Sequence, residues 1–156
     1  MRLLEPGDLA DLTRILQETG AFTRAEVACA VELLEIVLND PAQQDYLVAV
    51  AEHAGAVAGY ILYGPVPLTE GNFDIYWIAT DPAVQGLGLG RQLMEWAEAD
   101  ARRRGARLVC LETSSQGSYQ RTRRFYDQAG YLEESRIRDF YKPGDDRITY
   151  VKRFST

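Results

Sequence analysis

Three glycines at alternate positions constrain this chain more than any other feature of its sequence. Gly86, Gly88 and Gly90 lie between a strand-like segment at residues 73–79 and an amphipathic helical segment that ends near Gly105. Glycine allows backbone N–H groups to approach a ligand without interference from a Cβ atom. The helix that follows offers unpaired amides and the positive end of its dipole. Such a strand–loop–helix segment suits a bound pyrophosphate, although glycine turns also serve plain packing.

Hydrophobic periodicity on both sides of the loop predicts one domain, residues 1–156, with the element order βααβββαβαββ. We predict strands at residues 1–5, 46–52, 56–64, 73–79, 107–113, 131–140 and 147–154. The predicted helices end near Gly20, Asn39, Gly105 and Ala129, and the predicted N-caps are Asp8, Thr23 and Ser118. Two parallel crossovers among antiparallel strands predict an α/β fold, an α+β mixed sheet of about seven strands. We expect it to be mostly antiparallel with a central parallel pair, and to carry four helices on its two faces.

The scarcity of histidine and cysteine argues against two classes of catalytic site. The only histidine, His53, lies in a predicted turn, and Cys29 and Cys110 belong to no CxxC pair. We therefore expect two buried thiols, no metal and no Ser-His-Asp triad. No apolar run approaches the ~20 residues of a membrane span, and the first six residues lack the apolar stretch of a secretory signal. The expected location is the cytoplasm, without a membrane partner.

The charge is divided unevenly along the chain. The net charge of −6 argues against nucleic acid as the main partner. Residues 1–90 contain three arginines, no lysine and thirteen acids, a net −10, whereas residues 91–156 carry a net +4. This division suggests two differently charged ligands, although solvated surface explains charge runs as well.

Two segments resemble those of a known family, the GNAT superfamily of N-acetyltransferases. Its acetyl-CoA signature is Gln or Arg, two residues, Gly, one residue, then Gly or Ala, and here Gln85, Gly88 and Gly90 fill it. The second segment runs from Phe125 through Tyr126 to Gly130-Tyr131, and it is similar to the family's aromatic-Tyr-three-residues-Gly-aromatic pattern. The predicted element order also resembles the GNAT fold over nearly the whole chain.

The resemblance implies acetyl-CoA as co-substrate and direct attack by an amine in a ternary complex. The backbone of Ile78, Ala79 and Thr80 would pair with the pantetheine arm where the fourth and fifth strands splay. The pyrophosphate would be held by the amides of Gln85, Gly86, Leu87, Gly88, Leu89, Gly90 and Arg91. Tyr126 would be the general acid for the leaving thiolate, although a tyrosine at a helix end is more often a core aromatic. Members of such families often form homodimers.

The general base and one cofactor contact depart from the family pattern. The glutamate that serves as base in several members corresponds to Asn72, which cannot accept a proton. Asp74 lies on the same predicted strand face as Asn72 and is our first candidate for the general base, ahead of Glu112 and of water. Many members have Asn where this chain has Tyr119. The cofactor contact that the Asn makes in those members could be made here by Ser118 or Thr122.

Two other functions fit parts of the sequence. A dinucleotide enzyme would use Glu112 as ribose ligand, but the spacing here is GxGxG and not GxGxxG. A catalytically silent acyl-CoA-binding module would share the fold. For the enzyme, the acidic half predicts a cationic amine acceptor in preference to a neutral arylamine. The acids expected nearest the opening of the acceptor site are Asp45, Glu70, Asp74, Asp145 and Asp146.

Overall fold

The computed structural model describes residues 1–155, and its element order is the predicted βααβββαβαββ. The strands are β1 Arg2–Leu3, β2 Leu47–His53, β3 Ala56–Pro65, β4 Asn72–Thr80, β5 Leu108–Ser114, β6 Leu132–Lys142 and β7 Asp145–Arg153. The helices are α1 Leu9–Glu18, α2 Arg24–Asn39, α3 Leu89–Arg103 and α4 Gln120–Gln128. Within residues 1–155, none of the helices is long and apolar enough to cross a membrane.

The seven strands form one sheet in the order β1-β2-β3-β4-β5-β7-β6. All neighbouring strands are antiparallel except β4 and β5, which form the predicted central parallel pair. Strand β7 lies between β5 and β6, so the second crossover joins two strands that do not pair with each other. The mixed, mostly antiparallel sheet is therefore confirmed, with one paired parallel crossover where two had been expected.

Each face of the sheet buries a separate core. On one face α1 and α2 pack against β2, β3 and the second half of β4, through residues that include Leu12, Ile15, Leu16, Leu34, Val50, Tyr60, Leu62 and Ala79. On the other face α3 and α4 cover β3, β4, β5 and β7, through residues that include Leu93, Met94, Ala97, Val109, Leu111, Tyr126 and Ile148. The prediction of helices on both faces is confirmed.

One of the three predicted N-caps is confirmed and two are wrong. The Thr23 hydroxyl accepts from the Glu26 amide at 3.2 Å, and the Glu26 carboxylate accepts from the Thr23 amide at 2.6 Å. Asp8 and Ser118 instead belong to single 3₁₀ turns that precede α1 and α4, and neither provides a cap hydrogen bond to those helices. The Asp8 carboxylate accepts from Arg2 and from the Glu5 amide, because the 3₁₀ turn directs it back toward β1.

The expectation of two buried thiols is also wrong. Cys29 is exposed and Cys110 is half-buried. Cys29 lies on α2 between the positions that face the core, Val27 and Ala30, so helical periodicity directs it to solvent.

The ion pairs keep the two halves of the chain electrostatically separate. Among residues 1–155, all twelve pairs join residues of the same half, either before or after position 90. The negative charge of residues 1–90 is therefore not neutralised by direct contact with the arginines of residues 91–155.

Candidate active site

A gap opens in the middle of the sheet where the two parallel strands separate. β4 and β5 pair at only three positions, the last of which is Asp74 opposite Cys110. Beyond it β4 continues beside β3 as far as Thr80, and β5 continues beside β7 as far as Ser114. On the side of the gap, the edge of β4 that includes Ile78, Ala79 and Thr80 therefore has no strand partner among residues 1–155.

The glycine loop lies at the end of this open edge. Gly86 and Gly88 have φ values of 84° and 78°, and a Cβ atom built on either residue would meet no atom within 4 Å. The first backbone bond of α3 runs from the Gln92 amide to the Gly88 carbonyl at 3.1 Å. No acceptor within residues 1–155 pairs with the amides of residues 86–91. Gly86 and Gly88 face open space, and the unpaired amides of this segment, at the N-terminus of a fifteen-residue helix, form a cradle for an anion.

Gly90 has a packing role that its two neighbours lack. A Cβ atom at this position would lie 3.4 Å from Cζ of Phe125 and 3.9 Å from Cγ2 of Thr80. The missing side chain therefore lets the first turn of α3 approach α4 closely. The sequence pattern does not distinguish this packing glycine from the two that line open space.

The side chains of the loop take little part in the cradle. Arg91 pairs with Glu95 at 2.9 Å and is 79% exposed, so its guanidinium follows the outer surface of α3. The side chains of Gln85 and Leu87 are also exposed. At residues 85–91 the groups available to a ligand are thus mainly backbone amides.

Asp81 anchors the start of the loop, and sequence reasoning did not identify it. Its carboxylate accepts from the Ala83 amide at 2.9 Å and from Arg14 of α1 at 3.0 Å. The Ala83 amide, and then Arg14, hold the pKa of Asp81 below its usual value. The glycine loop is thereby tied to α1, a helix more than sixty residues earlier in the chain.

Tyr126 is buried on the face of the sheet covered by α3 and α4. Its ring packs against Phe125, Tyr131 and Tyr150, with centroid distances of 5.6, 6.4 and 5.9 Å. Its hydroxyl forms no hydrogen bond with any group in residues 1–155. Burial raises the pKa of Tyr126 to about 12, so the phenol remains protonated at neutral pH. An unpaired phenol proton in an apolar environment can be donated to a developing anion.

A buried polar network supports the end of α4, and sequence reasoning did not identify it either. The carboxylate of Glu98, on α3, accepts from the Tyr131 hydroxyl at 3.0 Å and from Lys152 at 2.7 Å. Lys152 also donates to the Ala129 carbonyl at 2.8 Å, at the C-terminus of α4. Three separate segments are thereby held around the ring of Tyr126.

Asp74 lies on the opposite face of the sheet from Tyr126, at the apex of the gap. Its neighbours Phe73 and Ile75 enter the core under α3, whereas Asp74 is half-buried on the other face. Burial, and then the negative charge of Glu112, raise the pKa of Asp74. It forms no ion pair with any residue of the described chain. Glu112 is exposed and lies 3.7 Å from Arg147, which compensates its charge.

A β-bulge follows Asp74. Trp77 pairs with Leu62 and Ile75 pairs with Tyr63, which leaves Tyr76 without a partner on β3. The ring of Tyr76 lies 5.6 Å from that of Tyr46, and the next residue, Trp77, packs under α1 and α2. The bulge thus changes which residues of β4 face each core, and this change lies where the strand leaves β5.

The remaining candidate residues take part in local contacts. Asn72 accepts a hydrogen bond from the Cys110 thiol at 3.4 Å, and the Tyr119 hydroxyl donates to the Ala21 carbonyl, between α1 and α2, at 3.3 Å. Ser118 is exposed and Thr122 is half-buried.

The acids expected at the opening are not equally available. Asp145 is buried and accepts from the Ser114 hydroxyl, and Asp146 pairs with Arg136 at 3.1 Å. The Asp145 carboxylate therefore ties the start of β7 to the end of β5, whereas that of Asp146 stabilises the β6–β7 hairpin. Asp45 and Glu70 are exposed. In residues 1–155 no group of three or more His, Cys, Asp or Glu side chains is placed to hold a metal ion.

Comparisons with known proteins agree with this geometry. A family model described as Acetyltransferase (GNAT) family matches residues 10–131. The chain is similar to a GNAT-family protein of Desulfovibrio desulfuricans, with 40% identity, a TM-score of 0.94 and coverage of 98% of this chain and 96% of that one. No curated protein matches the chain significantly.

Two more distant structures share the fold. The first is the ribosomal-protein-S18-alanine N-acetyltransferase of Escherichia coli, with 24% identity, a TM-score of 0.76 and coverage of 99% and 92%. The second is yncA of Salmonella typhimurium, solved with its cofactor acetyl-CoA, with 20% identity, a TM-score of 0.75 and coverage of 99% and 93%.

Proposed function

This chain belongs to the GNAT family of acetyltransferases, and we propose that it transfers an acetyl group from acetyl-CoA to a cationic primary amine. The observation that carries the proposal is the open cradle of unpaired amides at residues 86–91, located where the gap between β4 and β5 reaches the N-terminus of α3. A relative of the same fold was solved with acetyl-CoA, which supports the choice of donor.

The backbone supplies the proposed cofactor contacts. The amides of Gln85 to Arg91 bind the pyrophosphate, because they lack protein partners and lie at the positive end of the α3 dipole. The free edge at Ile78, Ala79 and Thr80 offers N–H and C=O groups to the amide bonds of the pantetheine arm, as an added strand would. The thioester then lies in the gap near Asp74.

Asp74 and Tyr126 act from opposite faces of the sheet. Elsewhere in the sheet, paired strands separate the two faces. At the gap, side chains from both faces can reach the same reacting atoms. The raised pKa and lack of an ion pair support Asp74 as the base in preference to Glu112, whose charge Arg147 compensates. The buried, unpaired phenol supports Tyr126 as the acid.

The proposed reaction is a direct displacement. Asp74 accepts a proton from the bound ammonium, which frees the nitrogen lone pair to attack the thioester carbon. As the C–S bond breaks, its electron pair remains on sulfur, and Tyr126 donates a proton there. Solvent accepts the second proton of the nitrogen as the C–N bond forms. Asp74 then releases its proton to solvent and Tyr126 regains one from solvent, so the net products are the acetylated amine, the CoA thiol and one proton.

The charge distribution supports a cationic acceptor. Residues 1–90 carry a net −10, and none of their ion pairs within the described chain involves the arginines of the second half. The α1–α2 segment and the first half of β4 therefore contribute an uncompensated negative field on the face where Asp74 lies. Such a field attracts an ammonium group and weakens with salt.

A thiol-release assay tests the proposal. The protein is mixed with acetyl-CoA and, separately, with a diamine, an amino sugar, a lysine derivative and an uncharged arylamine, with an amine-free reaction as the control for hydrolysis. We expect amine-dependent thiol release with the cationic acceptors. CoA binding by calorimetry without release for any amine would instead support the catalytically silent acyl-CoA module. A rise in melting temperature with a nicotinamide dinucleotide but not with CoA would support the dinucleotide enzyme.

A further inference from the structure

Within residues 1–155, part of the sheet face that carries Asp74 is not covered by any helix. Helices α1 and α2 cover β2, β3 and the second half of β4. Cys110 and Asp74 are half-buried and Glu112 is exposed, although all three lie on the middle strands of the sheet. Parallel strands such as β4 and β5 normally have both faces covered, so this uncovered area is available to a ligand.

Two aromatic groups border this uncovered area. Tyr76, at the bulge of β4, is 38% exposed, and its ring contacts that of Tyr46 at 5.6 Å. Tyr141, on β6, is 49% exposed, and its ring contacts that of Phe140 at 5.0 Å in an edge-to-face arrangement. The guanidinium of Arg147 lies 4.5 Å above the ring of Phe140. These rings remain exposed although each has an aromatic neighbour.

The two carboxylates lie between the aromatic groups. Burial, and then the charge of Asp74, raise the pKa of Tyr76. Burial, and then the charge of Glu112, raise the pKa of Tyr141. Glu112 in turn lies close enough to raise the pKa of Asp74. The strand order β4-β5-β7-β6 gives the order of groups across the face: Tyr76 and Asp74, then Glu112, then Arg147, then Phe140 and Tyr141. Arg147 contacts Glu112 on one side and the ring of Phe140 on the other.

This order specifies different partners for the two ends of an acceptor. The reacting ammonium must reach Asp74 at the apex of the gap, so the tyrosines are left to contact the group attached to it. Tyrosine rings favour planar apolar partners through stacked or edge-to-face contacts. A second positive charge near Tyr141 would meet the guanidinium of Arg147, although Asp45 adds negative charge near Tyr76.

We infer that Tyr76 and Tyr141 are specificity-determining residues, and that the acceptor is a primary ammonium joined through saturated carbon to a planar ring. This inference rests on the proposed function, because it places the reacting nitrogen at Asp74. It narrows the acceptor from any cationic amine to an aralkylammonium ion, and it disfavours linear diamines and polyhydroxylated amines.

The test compares three amines that are protonated at neutral pH: 2-phenylethylamine, hexylamine and 1,4-diaminobutane. Calorimetry on CoA-saturated protein measures binding independently of turnover, and the thiol-release assay measures kcat/KM for the same amines. We expect 2-phenylethylamine to bind about 10-fold more tightly than hexylamine, and Tyr76→Leu and Tyr141→Leu each to reduce that preference by about 3- to 10-fold. Phe154→Leu is the matched control, since Phe154 packs on the other face beneath Arg102.

The outcomes separate this inference from the proposed function. Selective binding of 2-phenylethylamine without thiol release would support the acceptor class and contradict catalysis. Thiol release with equal binding of all three amines would support catalysis and overturn the inference. A preference for 1,4-diaminobutane, or equal losses for all amines in the two tyrosine variants, would also overturn it.

Discussion

The two sides of the gap between β4 and β5 are built from different parts of the polypeptide. On the proposed cofactor side, residues 86–91 present backbone amides, and the side chains of this segment are absent, exposed or, at Leu89, buried in the protein. On the proposed acceptor side, the chemistry lies in side chains from β4, β5 and β6, such as Asp74, Glu112 and Tyr141. A contiguous backbone cradle leaves a short glycine pattern in the sequence, whereas a face assembled from distant strands leaves none.

The two sides also differ in how firmly they are held. Behind the cofactor side, Asp81 is bound by Arg14, and Glu98 is bound by Tyr131 and Lys152. On the acceptor side Asp74 has no cation partner within residues 1–155, and Tyr76 is exposed. A rigid cradle can bind the donor. On the other side, groups that are incompletely packed and carry uncompensated charge remain available to bind an acceptor. Four measurements sharpen this comparison.

The largest effect is expected for Tyr126→Phe. Because the Tyr126 hydroxyl has no hydrogen-bond partner in the described chain, its removal breaks no bond and keeps the ring packing. We expect kcat to fall roughly 10- to 1000-fold, as for loss of a general acid, with a nearly unchanged melting temperature. Steady-state kinetics and thermal melting are the measurements. A lower melting temperature with little loss of turnover would assign Tyr126 to the core alone.

Asp74→Asn is expected to reduce kcat/KM by roughly 100-fold, at the lower end of the range for a general base. The raised pKa of Asp74 means that its charged form is disfavoured in the folded protein, so stability falls as pH rises through the interval between the unfolded and the folded pKa. Above that interval the variant should therefore be as stable as the parent or slightly more stable.

The pH dependence completes the Asp74 test. In the parent, activity should fall as the pH is lowered through the raised pKa of Asp74, because only the carboxylate accepts a proton. Asp74→Asn should lack this acidic limb, and Glu112→Gln should retain it. The reverse pattern would identify Glu112 as the base.

How much the sequence predicts follows from the same division between local and distant contacts. The N-cap at Thr23 and the loop at Gly86 and Gly88 depend on residues within a few positions of each other, and both were predicted. The position of β7 between β5 and β6 depends on long-range pairing, and the crossover prediction missed it. The bulge at Tyr76 also depends on the register with β3, which no local pattern encodes.

The candidate site divides in the same way. The roles of Tyr126 and residues 85–91 came from contiguous motifs, and they stay predictions until tested, as does the homodimer. The anchors Arg14–Asp81 and Glu98–Lys152 join residues 67 and 54 positions apart. A basic residue and an acid at such separations resemble any other pair of charges in the sequence, so only the folded chain identifies them.

Gly88→Glu tests the backbone cradle with a smaller expected effect. A carboxylate there would lie in the open space before α3 and would repel a bound pyrophosphate. Because solvent partly screens the repulsion between the two negative groups, we expect CoA affinity to fall about 30-fold. Gly105→Glu is the matched control, because its φ of 89° is close to the 78° of Gly88, its surroundings are equally open, and it follows the other end of α3. Equal CoA affinities in the two variants by calorimetry would contradict the cradle.

The smallest effect concerns the field on the acceptor side. If the net −10 of residues 1–90 attracts the acceptor, kcat/KM for a protonated amine should fall about 5-fold between low and high salt, since exposed charges are screened within about 10 Å at 0.1 M salt. An uncharged arylamine of similar size should show no such fall, and its kcat/KM should be lower at every salt concentration. Glu70→Gln and Asp45→Asn remove exposed acids of this half without touching Asp74, so each should weaken the salt dependence while kcat at saturating amine stays constant. A protonated amine that reacts equally well at all salt concentrations would mean that the acids act only as solvated surface, and that recognition on this side depends on the local contacts of Asp74 alone.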